Sequence, residues 1–286
     1  MHDAPTPTAG LDSSGDTLQV RWARRYLNWI GWRILRLLHT VQGLGAFGLI
    51  TLGVIVTKFK TASHVIHPLI RAQIHRAGVR LLPIVSFVAL ALGLVVIGQT
   101  VALLSRVGAT TYAGAIMVTV VVRELGPLIT ALLVLARIGT AIVIELGTAR
   151  ALGEVEALEA LGIDPIHYLV MPRVVGLALG IFSLTVYLIL MALGGGYLFA
   201  FLQDVPLMPG DYFSQLATAL RWEDFVLLAL KTCAFGTIIA VVTCFHGLAR
   251  PLRIQEVAEA TTRAVVESLV ACTLLDALFI IIYLLM

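Results

Sequence analysis

Apolar residues in this chain gather into long runs: 81–105, 127–147, 174–201, 225–246 and 264–286. An α-helix needs about 20 residues to cross a bilayer core, and each run is close to that length. The pattern predicts an all-α integral membrane protein with five transmembrane helices. Pro83 falls in the first turn of the first run, where a missing N–H costs least. The stretch from Thr111 to Gly147 is too long for one straight crossing, and Gly126-Pro127 is its natural break point. A short element on the far side is expected there, followed by the second span, with Arg123-Glu124 at the break near the outer leaflet. Gly176 and Gly180 form a GxxxG pattern and Gly194-Gly195-Gly196 follow in the same run, so this helix should pack tightly.

Upstream of the runs the pattern changes. Residues 1–17 are rich in Pro, Thr, Ser, Gly and Asp, which reads as a disordered tail with no cleaved signal peptide visible. Residues 18–80 mix apolar positions with many Arg, and Trp22, Trp29 and Trp32 are interleaved. Trp and Arg on one helix suit an amphipathic, interfacial anchor beside anionic lipid. Val41–Thr57 is apolar but short and contains four glycines, so a shallow or interfacial helix is expected there. The span-bearing remainder is then 81–286.

Between the second and third runs lies an element of different character, a helix-favouring stretch over about 150–162 that carries Glu154, Glu156 and Glu159. Gly153 precedes it, Gly162 can close it as the C′ residue, and Asp164-Pro165 blocks continuation. The expected helix has about three turns, exposes the three glutamates, and aligns Val155, Leu158 and Leu161 as an apolar stripe. Helices that rest on lipid carry Lys and Arg on their polar face. An acidic face favours docking to a soluble protein.

Composition narrows the class. The chain of 286 residues is 59% hydrophobic and 13% charged, with a mean hydropathy of +0.97, outside the range of soluble domains. A net charge of +3 is too small to suggest nucleic-acid binding. Its distribution is informative. Ten Lys and Arg precede the first run, and Arg150, Arg173, Arg250, Arg253 and Arg263 fall in loops on the same side, whereas Arg106 and Arg221 fall on the other. The positive-inside rule then puts the N-terminus and the acidic helix in the cytoplasm and the C-terminus outside. Cys233, Cys244 and Cys272 show no CxxC spacing and read as small core residues. His64 and His67 lack a third ligand on their face, so no metal site is expected. No nucleophile elbow, HExxH or phosphate-binding loop is present, so catalysis and ATP hydrolysis are not expected of this chain.

A charge at mid-membrane costs about 2.5–3.5 kcal/mol on insertion scales, so each one needs a partner, water or a ligand. Arg123, Glu124, Arg137, Glu145, Lys231, Glu267 and Asp276 are such charges. Pairing among themselves to fix helix packing is the simplest use. Arg263 and Glu267 are four apart and can meet. Asp276 faces away from Glu267 and must look to another helix or to a ligand.

Several motifs occur together. RELGP at 123–127, ARIGTAIVIELGTARALGEVEALEALGIDP after it, Pro172-Arg173, TTRAVVESLV and LLDALF appear in this order, and over roughly residues 80–286 they resemble the MlaE/YrbE-type permeases of ABC transporters that work with MCE proteins. Glu156-Ala157-Leu158-xxx-Gly162 is also similar to the loop by which ABC importers meet their ATPase. The resemblance implies a permease subunit in a bacterial inner membrane, N-terminus cytoplasmic and C-terminus periplasmic. It further implies a homodimer, with ABC ATPase subunits docked on the cytoplasmic helix, an MCE-domain protein outside, and room for a small cytoplasmic accessory subunit. The cargo would be phospholipid or a related lipid. No cofactor would be held by this chain, and ATP would be used by the partner. Arg123, Glu124, Arg263 and Asp276 carry over as lipid-binding residues, with Glu124 balancing Arg123 when no lipid is bound. Glu154, Glu156, Leu158, Glu159, Leu161 and Gly162 carry over to ATPase coupling. Arg137, Glu145, Lys231 and Glu267 remain as an intramembrane charge network. The alternatives are an ABC permease for another small hydrophobic solute, or less readily a polar one, and an ion-coupled secondary transporter working through Glu124, Glu145 or Asp276.

Overall fold

The computed structural model describes residues 42–55, 57, 63–108, 112–202, 209–248 and 253–285. The expected tail at 1–17 and residues 18–41 of the basic region expected at 18–80 lie outside them. The chain divides into two compact units, Met1–Ala46 and Phe47–Met286. The second holds everything described below apart from residues 42–46.

Five helical stretches are long and apolar enough to cross a membrane: Ile66–Leu104, Gly114–Ala151, Ile166–Leu198, Trp222–Leu248 and Ile254–Leu285. Before them comes the apolar helix α1 (Gln42–Ile55), roughly 21 Å long against a hydrocarbon core of about 30 Å. From Phe47 onward it lies on the fourth span, with the Phe47 and Phe245 rings 5.8 Å apart.

The first span starts earlier than expected. Helix α2 (Ser63–Ala77) continues through Gly78 and a short 3₁₀ turn into α3 (Leu82–Leu92), a π turn at Gly93–Ile97 and α4 (Gly98–Val107). Residues 63–80 therefore belong with the bundle. They pack along α9 (Met171–Leu202), and the glycines of α9 make this possible. A Cβ on Gly176 would stand 2.6 Å from the Gln73 side chain, and one on Gly180 would stand 2.9 Å from Ala77 Cβ. Further along, Ser86 Oγ and Tyr187 OH are 2.7 Å apart, and a Cβ on Gly93 would meet the Ala192 carbonyl at 2.3 Å. Contact positions rise together on both helices, so the first and third spans run parallel, joined by the small-residue packing that the GxxxG pattern announces.

The second span is one helical run through Gly126-Pro127, contrary to the expected break. It comprises α5 (Ala113–Met117), a π segment Val118–Leu125, α6 (Gly126–Val134), a π turn Leu135–Gly139 and α7 (Thr140–Ala151). A proline's ring and missing N–H disturb the turn before it; here the preceding turn widens and the helix continues. The fourth span, α11 (Trp222–Leu248), crosses α9 where a Cβ on Gly236 would come within 2.5 Å of Ala178 Cα. Lower down, Gly247 abuts Leu146 of the second span. The fifth span contains α12 (Val257–Leu285), whose buried residues Ala260, Ala264, Ser268, Cys272 and Asp276 share one face; it is the least buried of the five.

Two shorter helices join the spans. Helix α8 (Glu154–Ala160) is seven residues long, about two turns rather than three. It starts after Gly153 at φ 79° and ends at Gly162 at φ 75°. Gly162 N–H donates to Glu159 O and Ile163 N–H to Leu158 O, both at 3.0 Å, which is the Schellman pair expected of a C′ glycine. Helix α10 (Pro209–Ala219) occupies part of 203–224, a stretch between the third and fourth apolar runs whose Pro206, Pro209 and acidic residues read as a polar loop. Its Tyr212 donates to Leu193 O at 3.0 Å, and burial pushes the phenol up to about 12.

Candidate functional site

The densest buried charge in the molecule begins with the peptide geometry of RELGP. Pro127 has no N–H to give to the carbonyl four residues back, which is that of Arg123. Lys231 Nζ of α11 donates to this oxygen at 2.9 Å. The same ammonium donates to Glu124 Oε2 at 3.0 Å and lies 2.8 Å from Asp276 Oδ1 of α12. The ammonium of a fully buried lysine thus makes two hydrogen bonds and one further ion pair. Phe279, one turn beyond Asp276, places its ring 6.0 Å from the ammonium.

Arg123 turns the other way. Its Nε lies 2.9 Å from Asp224 Oδ1 and its Nη2 donates to Asp224 Oδ2 at 3.2 Å, a two-point pairing that suits the planar guanidinium. The Tyr283 ring stands 5.2 Å from its Cζ. Asp224 also accepts from Arg221 N–H at 3.0 Å, closing the first turn of α11 as an acidic N3 residue does. Three spans are tied together by five charged groups. Arg123 remains one quarter exposed.

Asp224 is the residue that sequence reasoning missed, because the stretch before Phe225 reads as a polar loop. The available signal was an acid three residues after Arg221 at the start of an apolar run, the spacing of a helix N-terminus. The expected balance of Arg123 by Glu124 is corrected accordingly: Asp224 holds Arg123, and Glu124 holds Lys231. Arg263 does not join the cluster. It pairs with Glu259 on the surface of α12, roughly 20 Å along that helix from Asp276. Nor does it meet Glu267, whose carboxylate lies 2.7 Å from His246 Nε2.

A second set of charges occupies the opposite end of the second span. Glu145 accepts from Arg76 at 2.8 and 3.1 Å and from Arg173 at 3.3 Å. This joins the second span to the first and third, roughly 30 Å from Arg123 along the helix. The four residues expected as one intramembrane network are therefore dispersed. Lys231 lies in the first cluster, Glu145 in the second and Glu267 with His246, while the side chain of Arg137 has no hydrogen-bond or ion-pair partner among the described residues.

Helix α8 hangs below this second set. Glu154, Glu156 and Glu159 are exposed, with Arg150 at 3.2 Å from Glu156 and 3.7 Å from Glu159. The expected apolar stripe divides: Val155 is buried in the main core, Leu158 is half-buried, and Leu161 is exposed together with Leu152 and Ile163. The helix is rooted at one position and open at the others. Among the described residues no group of three His, Cys, Asp or Glu is placed to hold a metal ion.

Residues 70–282 match the family model described as Permease MlaE. The chain belongs to the MlaE permease family. A probable ABC transporter permease protein of Rickettsia bellii is 30% identical to this permease over 241 residues, 84% of this chain and 91% of the relative. The intermembrane phospholipid transport system permease protein MlaE of Haemophilus influenzae is 27% identical, over 79% of this chain and 86% of the relative. A probable ABC transporter permease protein of Synechocystis sp. is 37% identical over 169 residues, 57% of this chain and 62% of the relative. A multi-pass membrane permease that acts as a transport subunit is thus the common ground.

Proposed function

We propose that the permease moves phospholipid or a related lipid, as part of an ATP-driven transporter, between a bacterial inner membrane and an MCE-domain protein outside it. The observation that carries this reading is Arg123. It is a partly exposed guanidinium at one end of the bundle, held by a carboxylate that a lipid phosphate, with the same two-point geometry, can displace. The phospholipid-transport name of the Haemophilus influenzae relative supports it. In this reading Glu124, Lys231 and Asp276 frame the headgroup site.

The chain acts as a homodimer, because two ATP sites require two docking helices and five spans alone enclose little space for a lipid. Each copy presents α8 to an ATPase in the cytoplasm. A small cytoplasmic accessory subunit can join there, ATP is used by the ATPase alone, and this chain holds no cofactor. The N-terminus is cytoplasmic and the C-terminus periplasmic, in keeping with the excess of Lys and Arg on the α8 side. The rooting of α8 through Val155, and its junction with α7 through Leu152-Gly153, let closure of the ATPases move the second span.

Mass spectrometry of the protein and lipid that co-purify with the chain from its native membrane should find an ABC ATPase, an MCE-type protein and enriched phospholipid. Arg123→Ala should lower lipid transfer by about tenfold or more, the worth of one charge-assisted hydrogen-bonded contact; unchanged transfer would remove the headgroup role. Glu156→Lys with Glu159→Lys should leave insertion intact and uncouple ATP hydrolysis from transfer, and normal coupling would remove the docking role. An ion-coupled carrier would instead stop with an uncoupler and continue through ATP depletion.

A further inference from the structure

From Gly126 to Gly147 the second span follows a strict rhythm of two buried residues, then two that are at least partly accessible. The accessible pairs recur every four residues from Leu128-Ile129 to Ile144-Glu145, with Ala136-Arg137 midway. An ideal α-helix would rotate such a stripe by about 40° per repeat. The π turn at Leu135–Gly139 takes up part of this drift, so one face stays open along the helix. The open face begins a turn below Glu124, ends at Glu145, and carries Arg137 roughly 20 Å from Arg123 and about 12 Å from Glu145.

Arg137 is exposed, lies near mid-span, and its side chain lacks a partner among the described residues. A cation at that depth in hydrocarbon is costly, so an anion or water must meet it. Among the described residues, the carboxylates inside the spans and in the two charged clusters are already engaged. Glu124 and Asp276 are engaged by Lys231, Asp224 by Arg123, Glu145 by Arg76 and Arg173, and Glu267 by His246. Beside Arg137 the stripe is small: Ala136, Thr140 and Ala141 leave room against the guanidinium. The Thr140 hydroxyl is turned back onto the Ala136 carbonyl at 2.8 Å and does not compete for a ligand.

We propose that Arg137 is a mid-depth binding site for the phosphate of a lipid headgroup, a second station on the open face of the second span below Arg123. This rests on the lipid-transport reading. The two arginines would hand a phosphate along one helix without stranding it in hydrocarbon.

The test uses the full chain in its native membrane, in cells fed radioactive phosphate, with the photo-crosslinker p-benzoylphenylalanine replacing either Ala136 or Leu128. Labelled phospholipid should attach at both positions. Adding Arg137→Gln should lower labelling at position 136 about tenfold and spare position 128, while Arg137→Lys retains most of it. Bulk lipid would label regardless of the charge, so labelling at 136 that is unchanged in Arg137→Gln overturns the inference. Labelling at 128 without labelling at 136 also overturns it, and leaves the transport reading standing. An adduct of two chains at 136 without lipid overturns it in favour of a protein partner for Arg137. Absence of labelled lipid at both positions removes the inference and the lipid-transport reading together. Labelling spared at position 128 in the same Arg137→Gln chain, and retained at 136 in Arg137→Lys, separates loss of the site from misfolding.

Discussion

The two charged clusters use the same chemistry at opposite ends of the bundle, and burial separates them. Around Lys231 the centre of the cluster is withdrawn from solvent: the lysine is fully buried and Asp224 is 4% exposed, while Arg123 and Glu124 at its edge are half-buried. Around Glu145 they are open, with the Glu145 side chain 43% and that of Arg76 48% exposed. A buried ion that loses its partner has no water to fall back on, whereas an exposed one is resolvated. The first cluster is therefore a fixed frame, in which three helices are held in one register about Lys231. The second is a joint whose partners can separate at little cost, and it sits two turns above α8, where the proposed ATPase stroke enters. The proposed cycle, with a headgroup held at one end and movement at the other, uses both.

The largest expected effect comes from Lys231→Met, which leaves buried Asp276 and half-buried Glu124 with no cation between them and frees the Arg123 carbonyl. Removing one partner of a buried pair costs about 3–5 kcal/mol, read as a fall in the melting temperature of the detergent-solubilised protein or as loss of extractable folded chain. Adding Glu124→Gln and Asp276→Asn removes the stranded charges and should recover much of the loss. If the triple variant is no better than Lys231→Met alone, the cluster acts through packing rather than charge, and the contrast between the two ends needs another cause.

Asp224→Asn should have a smaller effect. The amide oxygen can still accept from Arg221 N–H, but the charge opposite Arg123 is lost, at about 1–3 kcal/mol. Arg123 is then free for a phosphate, so phospholipid phosphorus retained per purified chain should rise. A fall would mean that Asp224 positions Arg123 for lipid and does not compete with it.

How far these features could be read from the sequence follows from the range of the interactions behind them. Five spans, the cap at Gly162 and the tight packing of Gly176 and Gly180 are set by local composition and spacing, and they stand in the structure. The length of the first and second spans was less legible. Pro127 signals a break when only its missing N–H is counted; the helix survives because the preceding turn widens and Lys231, more than a hundred residues away, takes up the Arg123 carbonyl. Charge pairing was the least legible. Arg263 and Glu267 have the spacing to meet on α12, yet each has a nearer partner, one on its own helix and one on α11. Which carboxylate an arginine meets is a tertiary fact, and Asp224 shows that a residue read as loop can supply it.

The smallest expected effect is that of Glu145→Gln. Exposed ion pairs contribute about 0–1 kcal/mol, and when the carboxylate charge is gone Arg76 can turn to water while Arg173 keeps its bond to Leu169 O. The melting temperature should change little. Because the wild-type contacts are open to ions, any difference between wild type and variant should shrink as salt is raised, while the deficit of Lys231→Met persists. The transport consequence is separable. If the trio holds a joint closed, Glu145→Gln raises ATP hydrolysis in the absence of lipid while stability stays near wild type. A loss of stability as large as that of Lys231→Met would show that Glu145 is as structural as Lys231, and exposure would then no longer distinguish the two ends.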